Sequence, residues 1–135
     1  MPDVRKPLVL VVDDEADMRE LYSIGLEDEG FRVVAAADGR EAIAAMDLHV
    51  PSAVVLDMAM PHSSGLAVLN TVRERPETRH IPVIVVTGVS RDDDLWAGRD
   101  WGWDLYVQKP IELDELAESI RALIAKGQAA ATPGA

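Results

Sequence analysis

Leu8-Val9-Leu10-Val11-Val12-Asp13-Asp14 is a run of five aliphatic residues that stops on two carboxylates. An aliphatic run without polar alternation is what a strand looks like when helices cover both faces of a parallel sheet. Four further apolar runs follow, Phe31 to Ala36, Ala53 to Leu56, Val83 to Val86 and Leu105 to Val107. The runs at Ala53 and Val83 are continuous like the first. Those at Phe31 and Leu105 are mixed with polar residues, as expected nearer a sheet edge.

Helical periods fill the gaps. Met18, Leu21, Tyr22, Gly25 and Leu26 follow the i, i+3, i+4, i+7, i+8 template. Ala42, Ala45 and Met46 do the same after Asp38-Gly39-Arg40-Glu41, a helix cap with an acid three residues on. Val68, Leu69 and Val72 mark a third helix stopped near Pro76, and Arg91 to Gly98 a weaker fourth. Leu113, Leu116, Ala117, Ile120, Leu123 and Ile124 form the clearest amphipathic stripe. Strand and helix thus alternate five times, which predicts an α/β fold with a parallel sheet and helices on both faces. Gly127 to Ala135 has linker composition and is expected to be a disordered tail or the start of a linker, leaving residues 7–126 as one domain.

Composition narrows the function. The 135 residues carry 13 basic and 24 acidic side chains, a net charge of −11. That balance disfavours nucleic acid and anionic membrane surfaces and is compatible with a bound cation or a basic partner face. The absence of cysteine excludes disulfides, thiolate metal sites and cysteine nucleophiles. No apolar run approaches the roughly 20 residues of a membrane helix, and Met1 to Pro7 carries no signal-peptide core. The expected location is the cytoplasm.

Ligands of an open parallel sheet bind beyond the carboxyl ends of the strands, where strand order reverses. The expected strands end in Asp13-Asp14, Asp57, Thr87-Gly88 and Lys109-Pro110. Singly, each has an ordinary reading: Asp14 as a helix cap, Asp57 as a turn residue, Thr87 as strand filler, Lys109 as a solvated lysine. Jointly they place three carboxylates, a hydroxyl and an amine on one rim. Carboxylates crowded in one cleft repel each other unless a cation intervenes. Mg²⁺ fits best, because it accepts a few carboxylates, a carbonyl, water and a phosphate. Lys109 could then pair with Asp57 or hold a phosphoryl oxygen.

With these residues in place, the chain resembles the response-regulator receiver domains of two-component signalling. The motifs that carry the resemblance are Val11-Val12-Asp13-Asp14-Glu15, Val54-Val55-Leu56-Asp57-Met58-Ala59-Met60-Pro61, Val85-Val86-Thr87-Gly88 and Tyr106-Val107-Gln108-Lys109-Pro110. The resemblance covers roughly Pro7 to Lys126. It implies a doubly wound, five-stranded sheet of flavodoxin-like order 2-1-3-4-5. It implies that Asp57 accepts a phosphoryl group from a sensor histidine kinase, a phosphotransfer protein or a small phosphodonor. Asp13, Asp14, Asp57 and the Ala59 carbonyl would hold Mg²⁺, Lys109 would contact the phosphoryl group, Thr87 would be the switch hydroxyl and Tyr106 its aromatic partner. Pro110 would follow a cis peptide. The domain would be a switch and not an enzyme, changing its surface around the fourth helix, fifth strand and fifth helix toward a homodimer or a downstream protein.

Several features depart from the family pattern. Ser64-Gly65 stands where many receivers have an acid before the glycine, and serine also caps helices well. Trp101 and Trp103 flank Gly102 where receivers commonly carry small residues, and Trp96 lies just before them. They read equally as packing beneath the fourth helix or as a partner surface, since Trp is enriched at interfaces. Ala59 and Val89 flank the water approach to the phosphoryl group and cannot hydrogen-bond a water, which implies slow self-dephosphorylation. His49, His62 and His80 have no metal-ligand spacing, Met58 and Met60 read as packing and loop residues, and Arg91-Asp92-Asp93-Asp94 reads as a solvated helix start.

Two other functions compete. A phosphohydrolase of the haloacid-dehalogenase type would need an acid two residues after the nucleophile, where this chain has Ala59. A phosphate-independent interaction module would not need the intact Asp13, Asp14, Asp57, Thr87 and Lys109, though the tryptophans keep it in view.

Overall fold

The computed structural model describes residues 6–57, 62–88 and 102–131. Five strands form one parallel sheet: β1 (Leu8–Val12), β2 (Arg32–Ala36), β3 (Ala53–Asp57), β4 (Val83–Thr87) and β5 (Leu105–Gln108), in the order β2-β1-β3-β4-β5. β1, β3 and β4 are buried at every residue, while β2 and β5, at the edges, are only partly covered. The continuous aliphatic runs thus fill the centre and the mixed runs its edges. Strand order reverses between β1 and β3, where sheet growth changes direction.

Four helices lie on the sheet among the described residues: α1 (Ala16–Asp28), α2 (Gly39–Leu48), α3 (His62–Glu74) and α4 (Leu113–Ala131). Tyr22 and Leu26 of α1 and Leu116, Ala117 and Ile120 of α4 pack with Val9, Val11, Val55, Ile84 and Val86 on one face. Ala42 and Met46 of α2 and Val68, Leu69 and Val72 of α3 pack with Leu10, Val12, Val54, Leu56, Val83 and Val85 on the other. Each strand divides its residues between the two layers by its period of two.

The second helix starts as its sequence predicts. The Asp38 side chain accepts from the Glu41 N–H at 2.8 Å, and Glu41 reaches back to the Ala37 N–H at 2.7 Å. The C-terminal helix departs from expectation. It runs on to Ala131, past the Gly127 at which the tail was expected to begin. One helical glycine is a penalty of about 1 kcal/mol and not a stop, and the Ala residues after it favour helix. The helix expected at Arg91 to Gly98 lies outside the described residues. No described helix is long and apolar enough to cross a membrane.

Candidate functional site

Register assembles the site. Val12 pairs with Leu56, so Asp13 and Asp57, each the next residue, come side by side on neighbouring strands. Asp57 pairs with Val86, and Thr87 with Gln108, which brings Lys109 to the same rim. Strand parity then sorts the side chains. Asp13 continues the Val9–Val11 face, Asp57 the Ala53–Val55 face and Lys109 the Leu105–Val107 face, all on the α1/α4 side. Thr87 continues Val83 and Val85, and with Tyr106 it belongs to the α2/α3 side.

Lys109 Nζ donates to Asp57 Oδ2 at 2.7 Å and stands 3.9 Å from Asp13 Oδ2. Both acids are buried, their side chains 3% and 1% exposed, while that of Lys109 is 22% exposed. Asp13 Oδ1 accepts from the Glu15 N–H at 2.9 Å, and the Asp13 carbonyl accepts from Arg19 Nη1 at 2.8 Å. Asp13 Oδ2 is buried without a hydrogen-bond partner among the described residues.

This burial pushes the Asp13 carboxyl from 3.8 up to about 6; the Glu15 N–H opposes the rise, the neighbouring Asp57 carboxylate adds to it and Lys109 opposes it. Burial alone would lower the Lys109 ammonium, but the hydrogen bond and charge of Asp57 outweigh it and hold it above its ordinary value. Tyr22, on α1, lies 3% exposed beneath this group. Burial pushes its phenol up, Lys109 pulls it down, and Asp13 and Asp57 push it further up. Tyr22 was legible in the sequence only as one apolar position of a helical stripe; its electrostatic place beside the acids was not.

Asp14 stands exposed at the rim and is not the cap of α1, whose N-cap is Glu15. Among the described residues, no three His, Cys, Asp or Glu side chains gather as a ready-made metal cage. Asp13 nevertheless fits a hard cation: it is a buried oxygen donor with one oxygen that has no hydrogen bond among the described residues, and Mg²⁺ needs few protein ligands because it keeps several waters. Thr87 is fully buried, its carbonyl accepts from the Lys109 N–H at 2.6 Å, and the Lys109–Pro110 peptide is cis. Tyr106 and Trp103 are partly buried with ring centroids 5.7 Å apart. Ala59, Val89, Trp96 and Trp101 lie outside the described residues.

Two buried acids and a lysine thus meet at the carboxyl edge of a doubly wound parallel sheet. Residues 9–121 match the family described as the response regulator receiver domain, and the chain belongs to this family of two-component signalling domains. It is 41% identical over 116 residues to the probable transcriptional regulatory protein TcrX of Mycobacterium tuberculosis, covering 86% of this chain and 49% of that protein. It is 38% identical over 129 residues to the transcriptional regulatory protein PrrA of Mycobacterium bovis, covering 96% of this chain and 54% of that one. The chain therefore spans about half the length of these two relatives. Among solved structures, the chemotaxis protein CheY4 of Vibrio cholerae superposes with a TM-score of 0.78 at 27% identity, over 87% of this chain and 98% of that one.

Proposed function

We propose that this domain is a phosphorylation-controlled switch that accepts a phosphoryl group on Asp57. The observation that carries the reading is the geometry at the rim: a buried Asp57 held by Lys109 at 2.7 Å, beside a buried Asp13 oxygen with no hydrogen-bond partner among the described residues. An Asp57 carboxylate oxygen forms the new P–O bond as the P–N bond of a phosphohistidine breaks and the imidazole leaves. Lys109, already oriented by Asp57, turns its ammonium to a phosphoryl oxygen and balances charge there. Asp13 and Asp14, together with Asp57 and the Ala59 carbonyl, are the residues that would hold Mg²⁺. The ion would supply charge neutralisation to the crowded acids and the transferred group.

The donor is a histidine kinase or phosphotransfer protein working in the cytoplasm. Thr87 is the hydroxyl that responds to the phosphoryl group, and Tyr106 is the ring that follows it. The response biases a two-state surface near β5 toward a downstream protein or a second copy.

The test is phosphate incorporation from a small phosphodonor with Mg²⁺. The parent should take up acid-labile phosphate and Asp57→Asn should take up none. Equal labelling of both proteins would move the acceptor elsewhere.

A further inference from the structure

Trp103 stands between two residues that a single arginine holds. Arg73, near the C-terminal end of α3, donates from Nε to the Gly102 carbonyl at 2.8 Å and from Nη2 to Asp104 Oδ2 at 2.8 Å. Its Nη1 donates to the carbonyls of Arg79 at 2.9 Å and Ile81 at 2.7 Å. Asp104 Oδ2 also accepts from the Val83 N–H at 2.8 Å, and the Asp104 N–H donates to the Val83 carbonyl at 2.8 Å. The guanidinium thus links the Gly102 carbonyl and the Asp104 carboxylate, on either side of Trp103, to α3 and to the 79–81 turn, while Asp104 itself bonds the first residue of β4. Its planar fork has the donors this requires, which a lysine lacks. Gly102 takes a φ of +98°, a backbone conformation that favours glycine, and the turn it makes lies against the Arg73 side chain.

With its backbone held on both sides, Trp103 meets Tyr106 at a centroid distance of 5.7 Å and an interplanar angle of 49°. Both rings pack on the α2/α3 core layer, the layer that also contains Val83 and Val85. Tyr106 pairs with Val85 across the sheet, and Thr87 lies two residues further along the same strand and face.

We propose that Trp103 is a positioning residue for Tyr106, clamped by Arg73 through Gly102 and Asp104, and that the ring contact favours the resting orientation of Tyr106. The proposal rests on the reading of Tyr106 as the responding ring. A contact made in only one of two states shifts their populations by its full differential free energy. Aromatic pairs of this geometry carry enough to change a switching equilibrium by roughly three- to tenfold.

Two measurements on the full chain test this. Aromatic NMR of the metal-free protein should show the Tyr106 ring signals move in Trp103→Leu, and move in the same direction in Arg73→Met. Arg73→Lys should fall between Arg73→Met and the parent. Titration with beryllofluoride and Mg²⁺ should show apparent affinity about three- to tenfold tighter in both Trp103→Leu and Arg73→Met. In a Tyr106→Leu background, adding Trp103→Leu should change that affinity no further. If Arg73→Met does not fold, Asp104→Asn takes its place. Unmoved Tyr106 signals, or a Trp103→Leu effect equally large without Tyr106, would overturn the proposal. A parental beryllofluoride response unaltered in the Trp103 and Arg73 variants would overturn the proposal alone. No parental response would overturn the reading of the site and the proposal with it.

Discussion

Asp13→Asn should stabilise the metal-free domain at pH 8. Asp13 is fully buried, and its carboxyl is pushed from 3.8 to about 6. The folded chain therefore binds this proton more tightly than the unfolded chain does. The corresponding stability is fully present below pH 3.8 and is lost as pH rises through about 6. At 1.36 kcal/mol per pH unit, the ionised carboxylate at pH 8 costs the fold about 3 kcal/mol relative to a protonated one. Asparagine is nearly isosteric and uncharged, so it removes that penalty. For a domain of this size, 1 kcal/mol corresponds to about 3 °C in Tm, which sets the expected gain at up to about 10 °C. The assay is thermal unfolding by circular dichroism with a chelator, for parent and variant at pH 8 and pH 4.5. The gain should be large at pH 8 and should shrink at pH 4.5, where the parent already holds the proton. Mg²⁺ at pH 8 should raise the Tm of the parent more than that of the variant, because ligand binding stabilises only the form that binds. A variant less stable than the parent at pH 8, or a gain of equal size at both pH values, would refute the reasoning.

Thr87→Ala should still incorporate phosphate on Asp57 but should lose most of the phosphate-induced NMR shifts around Tyr106; a full set of shifts would remove Thr87 from the switch. Gly25→Ala should destabilise by about 1 kcal/mol, since a Cβ there falls 2.7 Å from Leu113 Cγ and overpacking outweighs the gain in helix propensity. Urea denaturation should show that Leu113→Ala in the same chain relieves this strain. Ala59→Asn should speed decay of the phosphorylated protein about tenfold, or 1.4 kcal/mol of barrier, by giving the attacking water a hydrogen-bond partner. A decay time course with Mg²⁺ and no phosphatase reads it directly, and an unchanged rate would mean that other groups already place the water.

The strands, their central or edge positions and the rim on which the polar residues gather were legible in the sequence. Burial on both faces demands continuous aliphatic runs, as at Leu8–Val12 and Val83–Val86, and a period of two carries each run's parity on to the residue that ends it. The cap at Asp38 was legible because its partner Glu41 is three residues away. The reach of α4 to Ala131 was not legible, because Gln-Ala-Ala-Ala looks like a linker by composition yet continues a helix that already exists. The Arg73 clamp was not legible at all: its partners at Gly102 and Asp104 are 29 and 31 residues away, and no local spacing connects them.

The three acids of the rim show the division most clearly. Their presence at strand ends is a property of the sequence alone, since it follows from local hydrophobic pattern. Their inequality is a property of the tertiary structure: Asp57 is paired with Lys109, Asp14 is exposed to water, and Asp13 is buried with one oxygen lacking a hydrogen bond among the described residues. Local sequence sets which groups can ionise. What ionisation costs depends on solvent and on charges brought from residues 44 to 96 positions away, and only packing of the whole chain decides those.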